Sequence, residues 1–276
     1  MRRATDISSD RPQETCAKCG GGGWRYAESG PDARVVRCDC YFQKQSERLL
    51  EVAHIPARYV GCTFSSYEAD NKFSASAKIA VEGWTEQYPL SQTGLILLGN
   101  SGVGKTHLAV AALKGLIAKG FRCLFVDYRD LLKQIQNSYN PSVQATELEL
   151  LQPLFDADVL LLDDLGAVRP TYWVWDTVSL VLNNRYNKNR TTLITSNFID
   201  GPAAGTEEAK RLRATARGNA IPQGPQAKHQ ENAREEEETL GDRIGERMRS
   251  RLFEMCRPVL VGGTDYRRRL RATSLR

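Results

Sequence analysis

Residues Gly99-Asn100-Ser101-Gly102-Val103-Gly104-Lys105-Thr106 follow the spacing G-x-x-x-x-G-K-[ST], a loop that wraps the phosphates of a nucleotide. The glycines let backbone N–H groups turn inward where a Cβ would block the approach. A following helix would add its N-terminal partial positive charge. Lys105 is the residue that reaches the β- and γ-phosphates, and the Thr106 hydroxyl is a ligand for Mg²⁺. The flanks fit this chemistry. Leu95–Leu98 is a short apolar run that predicts a buried strand, and Leu108 to Ala118 has helical periodicity that stops at Gly120, a predicted C-cap.

A second apolar run, Val159-Leu160-Leu161-Leu162, ends in Asp163-Asp164. A parallel strand beside the phosphate-loop strand would deliver Asp163 to the Mg²⁺. Asp164 would then face the attacking water as general base or polariser. Glu is common at this second position; Asp is one methylene shorter, which predicts slow hydrolysis. A third run, Thr192-Leu193-Ile194-Thr195, leads into Ser196-Asn197, and Asn197 is a candidate to hold the lytic water near the γ-phosphate. Taken alone, T-S-N reads equally as a strand-ending turn.

Seven cysteines are present, and Cys16, Cys19, Cys38 and Cys40 form C-x2-C and C-x-C pairs. Gly20 to Gly23 allow the chain to fold back around a metal. Trp24-Arg25-Tyr26 and Ala33–Arg37 predict two strands joined through Ser29-Gly30-Pro31-Asp32. Such a hairpin carries a cysteine pair at each open end, so four thiolates can converge in a tetrahedron. A unit this small has little core, and a structural Zn²⁺ is the natural staple. The spacing also admits an iron–sulfur cluster, though the hairpin suits Zn²⁺ better; a reducing compartment disfavours disulfides. A closed four-cysteine shell leaves no position for zinc catalysis. Cys62, Cys123 and Cys256 sit in apolar settings and read as small hydrophobes. His54, His107 and His229 show no ligand spacing and receive no role.

The elements that position these residues follow from the rest of the pattern. Residues 1–15 are polar and predict a disordered tail. Helices are expected at Phe42–Val52 and Phe73–Gln87, with Ile55-Pro56-Ala57-Arg58-Tyr59 and Phe64 between them. Strands are expected near 94–98, 122–127, 158–163 and 191–196, separated by helical stretches, and the last at Val259-Leu260-Val261. That alternation predicts an α/β parallel sheet covered on both faces. Gly201 to Glu238, ending in Glu235-Glu236-Glu237-Glu238, has almost no large apolar residues and reads as a mobile insertion. Leu240 to Met255 predicts one helix carrying Arg243, Arg247, Arg249 and Arg251, and Asp265-Tyr266-Arg267-Arg268-Arg269 comes after the last strand. An arginine at a subunit edge can stabilise γ-phosphate charge in a neighbour's site, and another near the C-terminus can do so in cis; solvated surface arginines are the alternative. With 41% apolar residues there is enough for a core. No apolar run approaches the roughly 20 residues that span a bilayer, and the N-terminus lacks a signal-type apolar stretch, so a cytoplasmic protein without a membrane partner is expected. The net charge of +5 permits nucleic-acid contact without requiring it.

Together, Gly99–Thr106, Leu161-Leu162-Asp163-Asp164-Leu165-Gly166-Ala167, Thr195-Ser196-Asn197, Gly241 to Leu252 and Asp265-Tyr266-Arg267 resemble the bacterial replicative helicase loaders of the DnaC/DnaI type, which are AAA+ ATPases. The resemblance runs from Cys16 to about Arg269, and a cysteine knuckle ahead of the core also occurs in such loaders. It implies a P-loop AAA+ parallel sheet flanked by helices, with a small N-terminal zinc-binding knuckle. The implied domains are a knuckle and helix over 16–60 that meets the helicase, and an ATPase domain over 61–276. The implied cofactors are ATP, Mg²⁺ and Zn²⁺. The implied partners are the replicative helicase hexamer, single-stranded DNA and further copies of the chain. It also implies Arg247 as the trans-acting finger, with Arg251 in reserve, and Arg267 as the cis γ-phosphate sensor. A helical insertion lining the DNA path would fall at Tyr128 to Tyr139, with Arg129, Lys133 and Tyr139 as contacts; an ordinary amphipathic surface helix is the alternative there. The 201–238 insertion departs from the family pattern and leaves the placement of the arginine helix open.

Three other functions share part of this pattern. A transposition helper ATPase of the IstB type has the core motifs but works on duplex DNA with a transposase and typically lacks the knuckle. A nucleotide-held switch with incidental hydrolysis would suit Asp164. A small-molecule kinase would have no evident use for the arginine helix or for Asp265-Tyr266-Arg267.

Overall fold

The computed structural model describes residues 16–27, 34–140, 142, 146–209 and 238–267. The expected tail, the turn at Ser29–Asp32, His229, most of the expected insertion and the arginines from Arg268 onward lie outside the described residues. The chain divides into two compact units, Met1–Arg48 and Leu49–Arg276.

In the first unit β1 (Trp24–Tyr26) pairs antiparallel with β2 (Val35–Arg37), Trp24 opposite Arg37. Helix α1 (Asp39–Val52), whose last residues from Leu49 belong to the second unit, starts ahead of the expected Phe42, with Asp39 supplying an acidic group to its first turn. The Arg37 guanidinium stacks 3.6 Å from the Trp24 ring centroid and 4.1 Å from that of Tyr41. Among the described residues of this unit only Gly23 and Cys38 are buried, far too little to drive folding by hydrophobic burial.

The second unit contains a 3₁₀ turn (Ala57–Tyr59), α2 (Lys72–Gln87), β3 (Gly94–Leu98), α3 (Lys105–Ala118), β4 (Cys123–Asp127), α4 (Tyr128–Ser138), α5 (Glu147–Asp156), β5 (Val159–Asp163), α6 (Tyr172–Asn187), β6 (Thr191–Ser196), α7 (Leu240–Ile244), α8 (Glu246–Met255) and β7 (Cys256–Leu260). The five long strands form one sheet in the order β4-β5-β6-β3-β7, every pair parallel. Strand periodicity divides the core: Leu95 and Leu97 pack with α2 and α3 on one face, Ile96 and Leu98 with α4, α5, α6, α7 and α8 on the other. Pro258 is tolerated in β7 because that strand is an edge.

Three local expectations change. First, β5 is not beside β3: β6 lies between them, because strand order is fixed by long-range packing that no local pattern encodes. Second, the predicted helix 240–255 is two helices, broken at Gly245, where φ is 80° and ψ 151°. Third, residues 201–209 are packed structure rather than insertion. Gly201 and Pro202 are buried, the Ala203 and Ala204 N–H groups donate to Glu246 and Asp242, and Thr239 Oγ1 donates to the Pro202 carbonyl. Arg249 completes this clamp through ion pairs with Asp200 (2.7 Å), Glu246 (2.6 Å) and Glu208 (3.7 Å).

Arg185 on α6 is fully buried, and among the described residues no carboxylate lies within ion-pair distance of it. It donates instead to the Leu154, Ala157 and Thr191 carbonyls and to Thr192 Oγ1, tying the end of α5 to the start of β6. Burial pulls its guanidinium down to about 10, which leaves it charged at neutral pH. Charge-assisted hydrogen bonds contribute about 1.5–3 kcal/mol each and offset part of the desolvation. Arg185→Met, which keeps the stem and orphans four buried acceptors, is expected to cost about 3–5 kcal/mol. At about 2–4 °C per kcal/mol this is a fall of roughly 10 °C in the thermal midpoint, with Arg185→Lys intermediate.

Candidate functional site

The phosphate loop bridges β3 and α3. At Gly104, the N-cap of α3, φ is 95° and no side chain caps the helix, which leaves its first N–H groups for a ligand. The loop is fitted to its surroundings. A Cβ at Gly99 would lie 2.1 Å from the Val261 carbonyl oxygen, one at Gly102 2.0 Å from Asp265 Oδ1, and one at Gly104 2.6 Å from the Tyr67 ring. Tyr67 Oη donates to the Val103 carbonyl (3.3 Å), and the Tyr266 N–H donates to the Gly102 carbonyl (3.1 Å). His107, one residue past the loop, donates Nε2–H to the Thr63 carbonyl (2.9 Å) and stacks edge-on against Tyr67, so it braces the segment ahead of α2.

The sequence-selected polar residues converge at the C-terminal ends of β3, β5 and β6. Lys105, largely buried, donates to the Gly99 and Asn100 carbonyls (2.8 Å each) and to Asn197 Oδ1 (2.7 Å). Asn197 Nδ2 in turn donates to Asp164 Oδ1. Thr106 Oγ1 donates to Asp163 Oδ1 at 2.9 Å. Asp163 is buried, and desolvation pushes its carboxyl up from the ordinary range while the Thr195 and Thr106 hydroxyls oppose that shift. Burial pulls the Lys105 amine down to about 8, against the attraction of Asp164 and Asp163. Asp164 turns out of the strand with φ 61°, a left-handed conformation rare for a non-glycine residue.

These groups line a cleft of ≈ 570 Å³ whose wall includes Ser101 to His107, Asp163, Asp164, Asn197 and Arg267. Arg58, Tyr59, Tyr67 and Asp127 also line it, and no motif singled them out: they lie on separate elements, and only the fold brings them together. Arg247 is exposed on α8 and is not part of this wall. Arg251, also exposed, rests on Asn183 and lies 5.9 Å from the Tyr186 ring. Arg129 and Lys133 are exposed on α4; Lys133 is 3.9 Å from Asp130. Tyr139 is half exposed, donates to Glu147 (2.9 Å), accepts from Trp173 Nε1 (3.2 Å) and stacks edge-on against that ring.

In the first unit the sulfur atoms of Cys16, Cys19, Cys38 and Cys40 lie within 4.8 Å of one another. Cys16 and Cys38 are 3.8 Å apart, and Cys19 and Cys40 3.3 Å. Four sulfurs about 2.3 Å from one Zn²⁺ would be spaced at just under 4 Å, so the donor set fits a tetrahedral ion. The Gly23 N–H donates to Cys19 Sγ at 3.4 Å, a bond that favours thiolate. Among the described residues no helix is long and apolar enough to cross a membrane.

Residues 40–201 match the model of a family described as IstB-like ATP binding protein; three of the four clustered cysteines precede that span. The replicative helicase loader DnaC of Buchnera aphidicola subsp. Baizongia pistaciae (strain Bp) is 27% identical over 152 residues, 55% of this chain and 62% of that protein. The replicative helicase loader DnaI of Bacillus subtilis (strain 168) is 28% identical over 159 residues, 56% of this chain and 50% of that one. The chain thus spans less than two thirds of these curated relatives. A crystal structure of the DnaC helicase loader aligns with a TM-score of 0.55 at 26% identity, covering 75% of this chain and all of that one. A structure of DnaI aligns with a TM-score of 0.53 at 22% identity and shares the fold. With its parallel sheet, phosphate loop and acidic strand end in AAA+ arrangement, the chain belongs to the IstB-like ATP-binding protein family.

Proposed function

We propose that this protein is an ATP-driven loader that binds the replicative DNA helicase and delivers it onto single-stranded DNA. The observation that carries this reading is the likeness to the DnaC helicase loader along the whole of that structure. ATPase chemistry is supported by the cluster of Lys105, Thr106, Asp163, Asp164 and Asn197 in one cleft.

In this reading the backbone of Gly99 to Thr106 wraps the phosphates, and Lys105 leaves Asn197 to meet the β- and γ-oxygens. Thr106 and Asp163 hold Mg²⁺, which when bound supplies charge neutralisation at the phosphates. Asp164 accepts the proton of the attacking water and Asn197 orients that water. Arg267, at the cleft wall, places a cation near the γ-phosphate in cis. Arg247, exposed and outside that wall, is suited to a neighbouring copy's site, which would couple turnover to assembly. Single-stranded DNA runs along Arg129, Lys133 and Tyr139, where the contact of Tyr139 with Trp173 and the nearly bare Tyr172 add stackable rings to exposed cations. The cysteine unit holds Zn²⁺ and, with α1, forms the helicase-binding region.

Size-exclusion chromatography of the full chain with its host's replicative helicase, in ATP and in ADP, tests the loader reading. Co-migration as a nucleotide-dependent complex is expected. Absence of a complex with either nucleotide, together with binding to duplex DNA, would replace it with the transposition-helper reading.

A further inference from the structure

The insertion of β6 between β3 and β5 creates a problem for the site and places one residue where it is solved. The phosphate loop leaves β3 and the acidic pair leaves β5, so neither strand can hold the other's end directly. Thr195, near the end of β6, stands between them and is 1% exposed. Its hydroxyl makes two bonds, both to the acidic corner: Oγ1 donates to Asp163 Oδ1 at 2.6 Å and accepts the Asp164 N–H at 2.9 Å. Its carbonyl accepts the Leu165 N–H at 2.8 Å. Ser196 Oγ donates to the Leu165 carbonyl at 2.8 Å. The chain from Asp163 to Leu165, which includes the left-handed Asp164, is thereby fastened to β6 at four points.

The chemistry of the hydroxyl is specific. Thr106 Oγ1 also donates to Asp163 Oδ1, so this one oxygen takes both hydroxyl protons and Oδ2 is the oxygen left to face a cation. Valine has the same shape and would fill the site, so the hydroxyl rather than the volume is what threonine offers the acidic corner. We infer that Thr195 is a positioning residue whose hydroxyl fixes the Asp163 carboxylate for Mg²⁺ and the Asp164 backbone for its work on water. This rests on the reading of the cleft as a Mg²⁺–nucleotide site.

The test compares full-length wild type, Thr195→Val and Thr195→Ser by titration with ADP in EDTA and in Mg²⁺, followed by ATP turnover against Mg²⁺ concentration. Outer-sphere partners of metal ligands are worth about 10- to 100-fold in metal affinity or activity. The expected result is that ADP binding in EDTA is the same for all three. T195V should need about 10- to 100-fold more Mg²⁺ and lose turnover by a similar factor. T195S, which keeps the hydroxyl, should retain the wild-type Mg²⁺ dependence. An unchanged Mg²⁺ dependence in T195V overturns the inference, and so does an equal loss of ADP binding with and without Mg²⁺, which would mark Thr195 as packing alone. A wild-type chain that binds no ADP in either condition overturns the nucleotide reading itself and the inference with it.

Discussion

Lys105→Met is expected to remove nucleotide binding while leaving the protein folded. The substitution keeps the buried stem and deletes the ammonium, whose three donors now go to the Gly99 and Asn100 carbonyls and Asn197 Oδ1. Two opposing effects act on the nucleotide-free protein. The variant escapes the desolvation that holds the amine down at about 8, and it orphans acceptors at the rim of an open cleft that water reaches. These nearly cancel, so the thermal midpoint should move little. Nothing cancels the loss toward phosphate: two charge-assisted bonds at about 1.5–3 kcal/mol each correspond to roughly 10²- to 10⁴-fold in affinity. Titration with ADP measures it, and an affinity within tenfold of wild type would sink the assignment. The same amine sets a pH dependence. Its value falls from 10.5 in the unfolded chain to about 8 in the fold, so between those limits the unfolded chain binds more protons and stability rises with pH; below pH 8 this group contributes no slope. Phosphate restores the charged form, so ADP binding should take up a proton and weaken as pH rises through 8. Calorimetry in buffers of different ionisation enthalpy reads that uptake, and K105M should abolish it.

Legibility in the sequence followed the range of the interactions. The phosphate loop, the acidic strand end and Thr195-Ser196-Asn197 are contiguous stretches, and each lies at the strand end its local pattern predicts. The cysteine pairs were legible for the same reason: C-x2-C and C-x-C put two donors each at the ends of a hairpin. The position of β6 between β3 and β5 was not, because register and order depend on which faces pack against α3 and α6. The break at Gly245 hid inside a pattern whose apolar positions continue across it. Residues 201–209 have the composition of a loop yet are held by Asp242, Glu246 and Arg249, residues that reach them only after the chain returns. Tyr67 and Asp265 were equally invisible as supports of the phosphate loop, because nothing local marks a side chain that packs on a glycine far along the chain.

The first unit should depend on its metal. Its described residues bury only Gly23 and Cys38, so hydrophobic burial cannot offset an ordering cost of about 1–2 kcal/mol for each backbone residue. Structural Zn²⁺ sites contribute about 10–16 kcal/mol at neutral pH, the largest single contribution open to a hairpin of this size. Purified protein should therefore carry one zinc per chain by elemental analysis, and Cys16→Ser with Cys19→Ser should carry none. In the variant the two sulfurs left, those of Cys38 and Cys40, follow β2 on one side of the hairpin, so no metal ligand ties β1 to it and only the short strand pairing and the Arg37–Trp24 stack remain. Amide exchange over 16–40 should then rise toward that of an unfolded chain. The core of the second unit is built from its own residues, from Ala53 to Val261, so its thermal midpoint should move by less than about 1 °C. Iron in place of zinc, with visible absorption, would reassign the cluster. Unchanged exchange in the metal-free variant would show that the hairpin holds without a staple. If the helicase complex is lost in that variant while ADP binding persists, the contact belongs to the cysteine unit; if both persist, the helicase is held by the ATPase unit.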